Sequence, residues 1–142
     1  MRTLLLSVLL VLATQAKATN RLQGEKILQV TITESGIITV GRDTVDSENL
    51  ARYIQERLFK SYLGTGRMYD RIVLSQQTES TPDMVTDVVI REIRQGQQRA
   101  LTQVSLQKYR NTFDKLDDKK KSKLKKMFPI LFQELISQNA AR

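Results

Sequence analysis

Leu28, Val30 and Ile32 alternate with Gln29, Thr31 and Thr33. A two-residue period puts the apolar side chains on one face, as in a half-buried strand. Glu34-Ser35-Gly36 interrupts the pattern, and Ile37-Ile38-Thr39-Val40 resumes it with branched residues before Gly41-Arg42-Asp43 ends it. Two such runs joined by a short Gly-containing stretch predict an antiparallel hairpin. The period then changes. Leu50, Tyr53, Ile54, Arg57 and Leu58 keep the three-and-four spacing of one helix face. Asp46 precedes them, with a carboxylate suited to accept the free N–H groups of the first turn. Leu63-Gly64-Thr65-Gly66 closes that helix in a flexible loop, and Arg71-Ile72-Val73-Leu74-Ser75 is a short apolar strand.

A second helix opens at Ser80-Thr81-Pro82-Asp83. Thr81 suits the cap, Pro82 the first helical position, and Asp83 the positive end of the helix dipole. Val85, Val89, Ile93, Ala100 and Val104 then recur at helical period. Gly96 lies within this stripe at a cost of about 1 kcal/mol relative to Ala. It marks either a close packing contact or a break between two helices. A last helix is expected from Asp117 to Phe128, with Leu124, Met127 and Phe128 facing one way. Pro129 ends it, and Ile130-Leu131-Phe132 with Leu135-Ile136 adds an apolar tail. The order β-β-α-β-α-α predicts a small α+β domain, a mixed sheet with helices packed on one face.

The N-terminus reads differently. Met1-Arg2 precedes an apolar run from Leu4 to Ala13, followed by Ala16-Lys17-Ala18. A basic start, a short apolar stretch and small residues at A-x-A spacing are the three parts of a secretory signal. About eleven apolar residues make a helix of about 16 Å, against a hydrocarbon core of about 30 Å. Residues 1–18 are therefore expected to be a signal peptide cleaved after Ala18. The globular domain is expected over 19–130 and a C-terminal tail over 131–142. An exported chain implies the periplasm.

Composition narrows the chemistry. The 142 residues include no His, no Cys and no Trp. Disulfides, Cys-ligated metals, cysteine nucleophiles and a Ser-His-Asp triad are excluded. No cofactor is expected, and the expectation is a binding protein rather than an enzyme. The net charge is +8, and much of it is concentrated late in the chain. Lys115, Lys119, Lys120, Lys121, Lys123, Lys125 and Lys126 stand against Asp114, Asp117 and Asp118, leaving four positive charges in excess. The plain reading is a solvated helix face. The functional one makes Lys119, Lys120, Lys121, Lys123, Lys125 and Lys126 a site for an anionic surface, lipid or cell-wall polymer. Nucleic acid is not expected, because no aromatic stacking platform is interleaved.

Other candidates are weaker. Gly64-Thr65-Gly66 lacks the Gly-Lys-Ser/Thr of a phosphate loop. Asp83 and Asp87 share a helix face, but a hard cation needs more converging oxygens. Ile130, Leu131 and Phe132 either cover the core or form a docking or dimer surface.

Three stretches together resemble the periplasmic domain of the ExbD/TolR biopolymer-transport family, in its Bacteroidetes-type form. The first runs from Val30-Thr31-Ile32-Thr33-Glu34-Ser35-Gly36 to Val45-Asp46-Ser47-Glu48-Asn49-Leu50. The second is Ile72-Val73-Leu74-Ser75-Gln76 with Thr81-Pro82-Asp83-Met84. The third runs from Tyr109-Arg110-Asn111-Thr112-Phe113-Asp114-Lys115-Leu116-Asp117-Asp118 to Met127-Phe128-Pro129. The resemblance implies an accessory component of an energy-transducing envelope transport system that acts by protein–protein binding. It implies partners of ExbB/TolQ or TonB/TolA type, a tendency to form homodimers, and for some members contact with the cell wall. It also implies association with the inner membrane. One departure is plain. Members carry an Asp in a transmembrane helix, whereas residues 3–18 contain no acid and the first acid here is Glu25. The proton-coupling role is therefore carried onto no residue of this chain. The other reading is an independent periplasmic module that binds an anionic polymer or membrane through its lysine-rich helix.

Overall fold

The computed structural model describes residues 24–134 and 137–140. The expected signal segment and Leu135-Ile136 lie outside these residues. Strand β1 (Ile27–Ile32) turns through Gly36, whose φ of 80° only glycine adopts freely, into β2 (Ile38–Val40). The two pair antiparallel, Val30 opposite Val40 and Ile32 opposite Ile38, as the alternation predicts. A two-residue strand β3 (Asp43–Thr44) then adds to β2. Helix α1 (Ser47–Thr65) leads to β4 (Arg71–Gln76), which lies parallel to β1 on its other side. Helix α2 (Asp83–Tyr109), a short 3₁₀ turn (Phe113–Lys115), helix α3 (Asp118–Met127) and a second 3₁₀ turn (Pro129–Phe132) follow. Strand β5 (Ser137–Ala140) pairs parallel with β4. The five-stranded mixed sheet has the order β3-β2-β1-β4-β5.

The fold is therefore α+β with a mixed sheet, and the core lies between one sheet face and the helices. Leu28, Val30 and Ile32 of β1 and Ile72 and Leu74 of β4 meet Leu50, Ile54 and Leu58 of α1 and Val89, Ile93 and Val104 of α2. Leu124 and Phe128 close the same core from α3. On the opposite sheet face, Gln29 Nε2 donates to Ser75 Oγ at 2.5 Å.

The element order needs two additions, β3 and β5. The backbone places β5 at the sheet edge, so part of the stretch expected as a tail belongs to the sheet. Gly96 resolves to the close-contact reading. Helix α2 is continuous through it, and a Cβ built there would lie 2.7 Å from both the Ala51 carbonyl oxygen and Ile54 Cβ. The absent side chain lets α2 lie directly on α1. Both expected caps differ in detail. Asp46 is the N-cap of α1 but makes no side-chain capping bond. Pro82, not Thr81, is the N-cap of α2, and Thr81 Oγ1 instead donates to the Thr78 carbonyl at 3.2 Å. Leu63-Gly64-Thr65 continues α1 rather than forming a loop, and Gly66 at φ 67° caps it by donating to the Tyr62 carbonyl.

Candidate functional site

Helix α3 is short and rests on one buried side chain, Leu124. Its start is set by Asp117, whose carboxylate accepts the Lys120 N–H at 2.8 Å while the Asp117 carbonyl accepts the Lys121 N–H at 3.0 Å. That backbone N–H holds the Asp117 carboxyl below the usual carboxylate range, with the Lys120 ammonium at 3.3 Å helping. Acids at the start and Lys125 and Lys126 in the last turn both suit the helix dipole. The helix stops at Phe128, which is buried and meets Tyr62 of α1 edge-on, ring centroids 5.2 Å apart.

The six lysines do not form one uniform patch. Lys120 Nζ sits 5.8 Å from the Tyr109 ring centroid. Lys121 Nζ lies at the same distance from Phe113, and Lys125 Nζ from Phe132. Phe113 and Phe132 are themselves in contact, with centroids 5.3 Å apart. These three lysines flank Leu124 and lie along an aromatic seam at the edge of the core, where a cation over a ring face is attracted by its quadrupole. Lys119, Lys123 and Lys126, exposed as Lys120 and Lys125 also are, have no ion pair or ring contact among the described residues.

Beyond Pro129 the chain turns inward. Ile130 and Leu131 are buried in the core, and only Phe132 of the three is partly accessible. Of the two readings of Ile130, Leu131 and Phe132, burial agrees with covering the core and corrects the docking or dimer surface. Offering the first two to a partner would require opening the fold. Polar anchors hold this turn. Gln97 Nε2 of α2, itself buried, donates to the Ile130 carbonyl at 2.7 Å and more weakly to Gln133 O at 3.3 Å. The Gln133 side chain accepts from Ile72 N and donates to Ile72 O, both at 2.9 Å.

Asp83 and Asp87 are exposed on α2, and among the described residues no group of three or more acidic, His or Cys side chains could hold a metal. Gly64-Thr65-Gly66 is a helix end. Thr65 Oγ1 donates toward the Ser61 and Arg67 carbonyls, both at 3.0 Å, so the segment presents no cradle for phosphate. Sequence reasoning missed an apolar cleft of 710 Å³ between Ile37, Val45 and the first turns of α2 at Met84 and Val88. Ile37 and Met84 are 48% and 77% exposed. Their exposure is a tertiary outcome, since both sit beside residues that do enter the core. Among the described residues no helix is long and apolar enough to cross a membrane.

Comparison with protein-family models, curated proteins and solved structures finds no match.

Proposed function

We propose that the chain is an ExbD/TolR-like periplasmic accessory component of an energy-transducing envelope transport system, acting by protein–protein binding. The observation that carries this reading is the order and spacing of the three resembling stretches, which span most of residues 27–130. The fold is compatible with it. The first stretch forms the β1–β2 hairpin and the start of α1, the second forms β4 and the entry to α2, and the third forms the junction into α3. The export-type N-terminus and the absence of His and Cys agree with a binding domain in the envelope. Partners of ExbB/TolQ or TonB/TolA type follow from the resemblance. Proton coupling is not part of the proposal, because no acid stands in residues 3–18.

The test is affinity capture of the tagged full chain from cross-linked, detergent-solubilised envelopes, followed by identification of what is retained. Recovery of a multi-span ExbB/TolQ-type protein or a TonB/TolA-type protein is the expected result. Repeated capture without either class counts against the reading. Fractionation adds a second check, since the protein should appear in the periplasmic or inner-membrane fraction.

A further inference from the structure

We infer that the outward face of α3, made by Lys119, Lys123 and Lys126, is an adsorption surface for an anionic lipid bilayer, while Lys120, Lys121 and Lys125 are structural. The inference stands apart from the family reading and rests on how α3 is seated. Leu124 is the one buried residue of the helix and fixes its rotation against the core. At about 100° per residue, Lys120 and Lys121 then fall about 40° and 60° to either side of the contact, and Lys125 lies about 100° round on the Lys121 side. There they reach Tyr109, Phe113 and Phe132. Lys119, Lys123 and Lys126 stand at i, i+4 and i+7, a single stripe spanning about 10 Å, with Lys119 and Lys126 about 140° and 160° round from Leu124 and Lys123 at its border, about 100° round on the side opposite Lys125. Asp114 and Asp118 are the nearest unpaired acids in sequence. Neither forms an ion pair with the stripe among the described residues, and Asp117 is engaged by Lys120.

The chemistry of the face selects among anions. Binding to bases needs exposed rings for stacking, yet Tyr109, Phe113 and Phe132 lie under the flanking lysines and are partly buried in the core. A discrete polymer is held best by a groove that follows it. The cleft nearest α3 takes in Lys125 but none of Lys119, Lys123 and Lys126. What remains is a cationic stripe with no ion pair among the described residues, lying outside that cleft. Laterally mobile phospholipid headgroups can gather under such a stripe without any preformed pocket, and each lysine near the surface adds a similar increment of attraction.

The experiment is co-sedimentation of the full chain with vesicles of phosphatidylcholine alone and with vesicles that also contain phosphatidylglycerol. The readout is the difference between the two, so that apolar adsorption by the Leu4–Ala13 run cancels. Two triple variants carry the same change in net charge. One is Lys119→Gln/Lys123→Gln/Lys126→Gln, and the other is Lys120→Gln/Lys121→Gln/Lys125→Gln. The wild type should prefer the anionic vesicles, with the preference abolished by salt. The outward triple should lose about fivefold per lysine, roughly a hundredfold in total. The flanking triple should lose far less at equal charge. If that variant proves unfolded by circular dichroism, Lys126→Glu and Lys121→Glu replace the comparison, and the first must lose more. Equal losses for both faces, or no preference of the wild type for phosphatidylglycerol, would overturn the inference. So would retention on immobilised linear polyphosphate without any preference for anionic vesicles.

Discussion

Gln133 binds Ile72 by both ends of one amide, its oxygen taking the Ile72 N–H and its nitrogen giving to the Ile72 carbonyl, each at 2.9 Å. A side chain thereby makes the contacts that a neighbouring strand residue would make. Further along the same edge of β4, backbone pairing resumes with Val73 opposite Ser137. Replacing Gln133 by Leu keeps the bulk but leaves two backbone groups of a buried strand residue without partners. The expected loss is about 2 kcal/mol, measured by urea unfolding. Hydrogen exchange at the Ile72 amide should rise more than at Leu74.

Gly96 allows α1 and α2 to touch at the backbone. Ala at this position gains helix propensity, about 1 kcal/mol in an exposed helix. Against that, its Cβ would lie 2.7 Å from the Ala51 carbonyl oxygen, which cannot turn aside as a flexible side chain can. Overpacking of this kind costs about 1–3 kcal/mol, and contact with backbone favours the upper part of that range. Gly96→Ala should therefore lower Tm, and trimming Ile54 in a double variant should not restore it, because the Ala51 contact persists.

Ser105 is fully buried on α2, and its hydroxyl has no hydrogen-bond partner among the described residues. An unpaired hydroxyl in the core destabilises the folded state, and removing it is favourable when the space left is small. Ser105→Ala should stabilise the protein by about 1 kcal/mol in chemical denaturation. A decrease in stability would show that the hydroxyl does bond in solution.

Two carboxylates link stability to acid. Asp70 is held below its ordinary range first by the Lys26 N–H at 2.5 Å, then by the Arg67 guanidinium at 3.2 Å, while desolvation opposes both. Asp117 is held down by the Lys120 N–H in the same sense. A folded-state pKa below the unfolded one contributes stability that is present above the unfolded value, about 3.9 for Asp. It is lost as pH falls through the folded value. Stability should therefore decline below about pH 4, and Asp70→Asn should flatten that decline while lowering stability at neutral pH. An unchanged acid slope in the Asn variant would contradict the assignment.

Leu124 is the hinge between sequence and site. It is the only buried residue of α3, so Leu124→Ala should cost about 2–5 kcal/mol. The variant should also free the lysine flanks from their rings. Quenching of Tyr fluorescence by added iodide would then rise, as Tyr109 loses its cover.

The elements read most directly from sequence are those whose side chains sort by period. Leu28, Val30 and Ile32 announce β1, and Leu50, Ile54 and Leu58 announce α1. Strand β3 consists of Asp43 and Thr44, both exposed, and exists only because β2 offers an edge. Strand β5, Ser-Gln-Asn-Ala, has no apolar alternation and is recruited in the same way by β4. Capping was legible only in position, because Asp46 stands at the N-cap without a side-chain bond, Thr81 is displaced by Pro82, and Asp117, which does cap through its side chain, reads in the sequence only as a helix start. The lysine run was obvious, but its division into two sets was not. That division needs Tyr109, Phe113 and Phe132, residues outside the helix, whose positions are fixed only by the turns that flank it.

The arrangement of β1 between a local and a remote neighbour also orders the folding reaction. The β1–β2 hairpin closes a few residues and can form within about 1–10 μs. The β1–β4 edge waits for contacts such as Lys26 with Asp70, 44 positions apart, and the outer edge of β4 waits for Gln133, 61 positions beyond Ile72. Longer closures carry a larger entropy cost before any contact offsets it. During synthesis the apolar edge of β4 therefore stands open until the stretch from Gln133 to Ala140 has emerged, and an open strand edge is a template for pairing with another chain.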